Sequence, residues 1–238
     1  MYQGGTIVMN RDRHDALGKM LRAVDKDMRE TAALTGRRVI SPAVRNALRA
    51  VPRHEFVRRV DAEEAYENRP LPIGYRQTIS QPYIVALMTE LLDLPINSKS
   101  TARLLEIGAG SGYQSAILSE LTREVFAIEI VPGLAQAAET RLMRLGYRNI
   151  TLKTGGGALG WPEHAPFDGI IAAAAAPAMI PALVQQLKTG AKMVIPLGPA
   201  SEKQDLTVIA RTNVGKIIEN RILPVAFVPF TGASSNYK

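Results

Sequence analysis

Between Arg11 and about Leu34 the apolar residues Leu17, Met20, Leu21, Val24 and Met28 recur at steps of three and four. That spacing gathers them on one face of an amphipathic helix. Gly36 stops the pattern, and Ser41-Pro42 then reads as the N-cap and first turn of a second, shorter helix carrying Val44, Leu48 and Val51 and ending before Pro52. Residues 62–79 are richer in Pro, Gly and Tyr and are expected to form a long irregular connection, a kind of segment that in a compact protein usually serves function. Ser80, ahead of Gln81-Pro82, again has N-cap character and opens a helix through Ile84, Leu87, Met88, Leu91 and Leu92.

From Arg103 onward the period changes. Short apolar runs at Leu104–Ile107, Val125–Ile130, Ile150–Leu152, Gly169–Ala172 and Met193–Leu197 read as strands, with helical patterns at 112–121, 132–145 and 179–188 between them. Strict alternation of this kind predicts an α/β fold with a doubly wound, mostly parallel sheet. Leu206–Ala210 and Ile217–Phe230 are strand-like with no helix between them, so they are expected as an antiparallel hairpin at one edge, making seven strands. The expected organisation is a helical N-terminal extension over 1–60 followed by an α/β domain over 61–238.

Composition narrows the class without changing this picture. The 238 residues are 46% hydrophobic and 21% charged, which suits a core-forming globular chain and not a disordered or fibrous one. The absence of Cys excludes a disulfide scaffold, a thiolate metal site and a cysteine nucleophile, and the three His, at 14, 54 and 164, are too scattered to suggest a metal cage. Residues 1–10 lack the pattern of a signal peptide, and the longest uncharged stretch, from Asp168 to Lys188, is broken by Pro177 and Pro181. A cytoplasmic protein without membrane association is therefore expected. The net charge of +7 arises wholly in residues 1–60, which hold 13 Lys or Arg against 6 Asp or Glu. A basic arm can serve nucleic acid or an acidic partner, but no aromatic interleaving or finger motif accompanies this one, so a solvated helical face is the better reading and nucleic acid is not expected.

The strongest chemical signal is Leu104-Leu105-Glu106-Ile107-Gly108-Ala109-Gly110-Ser111-Gly112. A strand running into glycines at alternate positions lets the backbone pass close to a ligand and turn into a helix whose first amides face it. The G-x-G-x-G spacing, with an acid two places before the first Gly, favours S-adenosylmethionine over a nicotinamide dinucleotide, whose folds usually space the glycines G-x-G-x-x-G. Glu129 ends the second strand of this set, where a carboxylate can accept two hydrogen bonds from ribose hydroxyls. Gly155-Gly156-Gly157 follows the third strand at the same edge, where an adenine would lie.

Beyond these, Val51-Pro52-Arg53-His54-Glu55-Phe56-Val57, Pro70-Leu71-Pro72-Ile73-Gly74, Gln77-Thr78-Ile79-Ser80-Gln81-Pro82-Tyr83, Gly160-Trp161-Pro162, Ala165-Pro166-Phe167-Asp168 and Phe227-Val228-Pro229 stand at positions that resemble the protein-L-isoaspartate O-methyltransferase family. The resemblance runs from about residue 44 to 232. It implies a class I, Rossmann-like adenosylmethionine-dependent methyltransferase that esterifies the free carboxylate of isoaspartyl residues, and of D-aspartyl residues in some members, in damaged proteins and peptides. The ester then closes to a succinimide that hydrolyses partly to normal aspartate. The resemblance further implies Ser80 as the catalytic residue, and Gln77, Thr78, Ile79, Glu106, Gly108, Gly110, Gly112, Glu129, Gly156, Gly157 and Thr231 as the cofactor set, with no metal.

Two departures bear on that set. The family usually has Gly-Asp-Gly where this chain has Gly155-Gly156-Gly157, and losing one hydrogen bond to the adenine costs about 0.5–1.5 kcal/mol, up to roughly tenfold in affinity. Ala173 stands where many relatives carry a small polar residue. The alternatives left open are a carboxyl methyltransferase for a dedicated peptide, and a degenerate cofactor-binding module whose basic arm contacts nucleic acid.

Overall fold

The computed structural model describes residues 11–95, 98–199 and 202–230. The first periodic segment forms α1 (Arg11–Glu30) and a short α2 (Ala32–Thr35), closed by Gly36 at φ 66. Leu17, Met20, Leu21, Val24 and Met28 are all buried, as their spacing requires. The second helix, α3 (Pro42–Ala50), is capped as expected: Ser41 Oγ accepts from the Val44 amide at 3.2 Å.

The stretch expected to be irregular contains a hairpin. β1 (Leu71–Gly74) pairs antiparallel with β2 (Gln77–Ile79), with Leu71 opposite Ile79. The turn residues, Tyr75 and Arg76, both have positive φ, 52 and 59. Two-residue hairpin turns of that conformation usually advertise themselves as Asn-Gly or Asp-Gly, and Tyr-Arg carries no such signal. After it come α4 (Pro82–Leu91) and α5 (Ser98–Thr101).

The α/β region follows as β3 (Arg103–Ile107), α6 (Tyr113–Ser119), β4 (Glu124–Glu129), α7 (Pro132–Arg144), β5 (Ile150–Thr154), β6 (Phe167–Ala172), α8 (Pro181–Gln185), β7 (Leu187–Leu197), β8 (Gln204–Arg211) and β9 (Ile217–Val225). The seven strands β3–β9 form one sheet in the order β5-β4-β3-β6-β7-β8-β9, parallel through β7, with β8 and β9 antiparallel at the edge. Two expected boundaries move. The helix expected over 179–188 stops at Gln185, because Leu187 is drawn into the sheet opposite Phe167. The last strand ends at Val225, after which the chain returns toward the middle of the sheet, where Phe230 N donates to Ala175 O at 2.8 Å.

Alternate residues of the central strands serve two cores, as the two-residue period of a strand demands. Leu104, Val125, Ile171 and Val194 pack in the cluster shared with α1, α3, α4 and α6. Leu105, Phe126, Ile170 and Met193 pack on the other face with Leu183 and Val184 of α8. Among the described residues no helix is long and apolar enough to cross a membrane.

Candidate active site

The sheet order reverses at β3, whose neighbours β4 and β6 lead to opposite sides, and a cleft opens at the carboxyl ends of these strands, where ligands of open α/β sheets bind. Its space, open mouth included, is about 810 Å³. Its floor is the loop after β3, its walls are formed by Ile128–Val131, Gly155 and Gly157, and Gln77–Ser80 close it from the hairpin side.

Glu129 organises the floor. Its Oε2 accepts from the Gly110 amide at 2.7 Å and its Oε1 from the Val131 amide at 2.9 Å, so one carboxylate ties the glycine loop to the chain leaving β4. Gly108 N and Ala109 N both donate to Ile128 O. The loop amides expected to face a ligand are thus largely used to dock the loop on β4. Glycine suits the backbone here: Gly110 has φ 55, and a Cβ on it would lie 3.3 Å from Ile73 Cδ1 of β1, which would have to give by a few tenths of an ångström.

Below the loop lies Glu106, fully buried. Ser115 Oγ donates to its Oε2, while Oε1 has no partner. Burial pushes its acid up to about 8, the neighbouring Glu129 charge pushes the same way, and the Ser115 hydrogen bond opposes both.

The hairpin meets the glycine loop at Gly110 and reaches α7 at its tip, where Tyr75 Oη would stand 2.1 Å from a Cβ on Gly133. Behind the hairpin, Ser80 is half-buried at the cleft wall. The expectation that Ser80 caps the following helix is not met. Gln81 occupies the N-cap position without a side-chain bond, and the Tyr83 amide donates instead to Asn68 Oδ1 at 3.0 Å. Asn68 is held in turn by its Nδ2 donating to Asp27 Oδ2 at 2.7 Å, and Gln81 Nε2 reaches the same oxygen at 3.3 Å. Among the described residues the Ser80 hydroxyl has no hydrogen-bond partner, and its carbonyl accepts from Arg53 Nη2 at 2.8 Å.

A sequence model of the protein-L-isoaspartate(D-aspartate) O-methyltransferase family matches residues 28–235. The chain is 49% identical to protein-L-isoaspartate O-methyltransferase 2 of Syntrophobacter fumaroxidans, over 98% of this chain and 93% of that one. It is 48% identical to the enzyme of the same name from Nitrosococcus oceani, over 90% and 95%. The chain belongs to this family. Among solved structures it resembles a Plasmodium falciparum chain described as a protein-L-isoaspartate O-methyltransferase in complex with S-adenosyl-L-homocysteine, with a TM-score of 0.75, 23% identity and coverage of 94% of this chain and 100% of that one. That likeness establishes the fold, the one expected from the alternation of strands and helices.

Of the residues expected to serve this isoaspartate methyltransferase family, Gln77, Thr78, Ile79, Ser80, Glu106, Gly108, Gly110, Glu129 and Gly157 all line the one cleft. Gly157 is confined there because a Cβ would stand 2.2 Å from Ile107 Cγ2. Gly112 and Gly156 fall outside the cleft lining. Gly112 opens α6 at φ 85, and a Cβ on it would lie 3.2 Å from Leu142 Cδ1. Gly156 is exposed. Thr231 lies outside the described residues. The sequence reading gave no role to Asn68, the cap supplied from elsewhere in the chain, or to Arg53. Arg53 carried a signal in being a lone cation within Val51-Pro52-Arg53-His54-Glu55-Phe56, a segment otherwise buried except at Glu55.

Proposed function

We propose that this chain transfers a methyl group from S-adenosylmethionine to the free carboxylate of L-isoaspartyl residues in damaged proteins and peptides, and that Ser80 carries the chemistry. The observation that supports the activity most directly is family membership over residues 28–235, together with close relatives matched along almost their full length.

The residues present fit the cofactor. The cleft has a floor of glycines that a Cβ would fill, a buried carboxyl oxygen on Glu106 that lacks a partner, and the Glu129 carboxylate at the end of β4. Glu129 and the loop it holds would take the ribose, Gly155 and Gly157 the adenine, and the Glu106 side the amino-acid end. When bound, the cofactor supplies an electrophilic methyl on its sulfonium.

No general base is needed, because a carboxylate with an ordinary pKa near 4 is already ionised at neutral pH. The protein's task is orientation. The Ser80 hydroxyl, free of capping duty, donates to one oxygen of the isoaspartyl carboxylate and leaves the other to attack. That oxygen would take the methyl supplied by the bound cofactor, with S-adenosylhomocysteine as the leaving group, so the products would be a neutral ester and a neutral thioether. Holding reactants in line in this way is an entropic contribution that a hydrogen bond from a fixed backbone can supply.

Among the described residues no cluster of acidic or histidine side chains is arranged to hold a metal. The test is methyl transfer from labelled S-adenosylmethionine to two peptides of identical composition, one with isoaspartate and one with aspartate. Strong labelling of the first alone is expected. Equal labelling of both would remove the repair reading.

A further inference from the structure

We infer that Arg53 is a positioning residue for methyl transfer, its guanidinium fixing Ser80 from beneath the cleft wall and setting an uncompensated positive charge behind the point where the substrate carboxylate binds. The inference rests on the reading just given for Ser80.

Arg53 is fully buried and no carboxylate among the described residues pairs with it. Its partners are main-chain carbonyls: Nε donates to Ala65 O at 2.8 Å, and Nη2 to Ser80 O at 2.8 Å and to Arg69 O at 3.5 Å. Its guanidinium carbon lies 4.7 Å from the centre of the Tyr113 ring, a cleft-lining side chain. Nη1 and Tyr113 Oη are both buried without a well-formed hydrogen bond, and the nearby Tyr113 side chain favours the charged guanidinium against the cost of burial.

Two features of this arrangement point past simple packing. First, the three carbonyls come from the beginning and the end of the segment that carries the hairpin. One rigid fork therefore closes the base of the segment and fixes the residue whose hydroxyl faces substrate. A lysine carries its three N–H groups on one nitrogen and cannot reproduce a fork that donates from both Nε and Nη2. Second, an isolated buried cation is costly, and burial accordingly pulls the Arg53 pKa below its ordinary value, although the group stays charged. An apolar side chain of similar length would fill the space at lower cost in stability. A substrate whose recognised group is a carboxylate supplies the missing anion on the far side of Ser80. The tyrosine ring face and the carbonyl dipoles hold the cation until then.

The test joins amide exchange without any ligand to single-turnover kinetics with it. In Arg53→Lys, exchange over residues 77–83 should accelerate by about tenfold or more relative to the rest of the sheet, since local opening is set by local bonding. Single-turnover methylation of the isoaspartyl peptide should fall by roughly tenfold or more, with calorimetric affinity for S-adenosylhomocysteine within about twofold of the parent. In Arg53→Gln, where the charge is also lost, the peptide KM should rise well above that of Arg53→Lys. In a Ser80→Ala background Arg53→Lys should cost little further rate, because it acts through Ser80.

Unchanged exchange over 77–83 would overturn the inference whatever the substrate proves to be. So would an undiminished rate, or a loss of equal size in the Ser80→Ala background. If the parent protein fails to distinguish isoaspartyl from aspartyl peptide, it is the functional reading that falls, and the exchange measurement still decides whether Arg53 braces Ser80.

Discussion

Replacing Glu106 by Gln should change how the stability of the protein depends on pH. In the folded state Glu106 is fully buried and its acid is pushed up to about 8, against 4.5 for a free side chain. Below pH 4.5 both states hold the proton and no stability is lost. Between 4.5 and about 8 the folded state retains a proton that the unfolded state has released, so stability falls as pH rises, and above the folded value the loss is complete. At about 1.36 kcal/mol per unit, the part of this window between pH 5.5 and 8 corresponds to roughly 3 kcal/mol. The amide of Gln has the same shape, can accept from the Ser115 hydroxyl, and does not titrate. Urea unfolding of the two proteins at pH 5.5 and 8.5, with equal slopes as the check that both unfold alike, isolates the contribution of Glu106 from that of every other group. The variant should gain on the parent by about 3 kcal/mol over that interval, as the titration window requires. Stability differences that stay constant with pH would refute the argument, and would mean that the buried carboxyl finds a compensation absent from its surroundings as described.

Three further expectations concern the cleft. Ser80→Ala should slow single-turnover methylation with little change in melting, whereas Asn68→Ala, which removes the actual cap of α4, should cost about 0.5–2 kcal/mol of stability; a stability loss in the serine variant would restore it to a capping role. Glu129→Gln leaves either Gly110 N or Val131 N facing an amide nitrogen and offers the ribose a neutral amide in place of a carboxylate; weakening a charge-assisted hydrogen bond to the ligand by about 1.5–3 kcal/mol means that calorimetry should find S-adenosylhomocysteine bound roughly 10- to 100-fold more weakly, and an unchanged affinity would contradict the assignment. Gly133→Ala puts a methyl where the Tyr75 hydroxyl now rests, so the hairpin tip should lift and stopped-flow release of S-adenosylhomocysteine should quicken; a parental release rate would show that the tip does not guard the cleft.

The sheet was legible because the central strands are buried on both faces and therefore largely apolar, with Glu106 a break in β3, while the intervening helices keep their own period. Val125 to Ile128 is the clearest case. What escaped notice were features set by tertiary contact. The hairpin turn at Tyr75-Arg76 adopts positive φ without glycine or asparagine, and the short α8 yields to β7 because Leu187 gains a place opposite Phe167. Within the cleft, the glycine motif, Glu129 and the Gln77 to Ser80 segment could be read from residue type and order, since backbone approach and acid placement are local requirements. Arg53 and Asn68 could not, because each acts on a residue about 15 to 30 positions away, a relation that no local period encodes.

The capping of α4 ties the first helix to the cleft wall as well. A cap must be a short polar side chain one residue before the helix, and Ser80 satisfies that chemistry from one position too early. The cap comes from Asn68, which depends on Asp27 of α1, so the first helix helps to leave the Ser80 hydroxyl without a capping bond. Asp25 and Asp27 are half-buried and turned to partners, Arg45 for the one and Asn68 and Gln81 for the other, whereas Lys19, Arg22, Lys26 and Arg29 stand exposed. The basic excess of the region lies elsewhere: α1 holds six bases against five acids, while residues 31–60 hold seven against one. Removing Asp27 should therefore loosen the cap of α4 without touching the source of that excess.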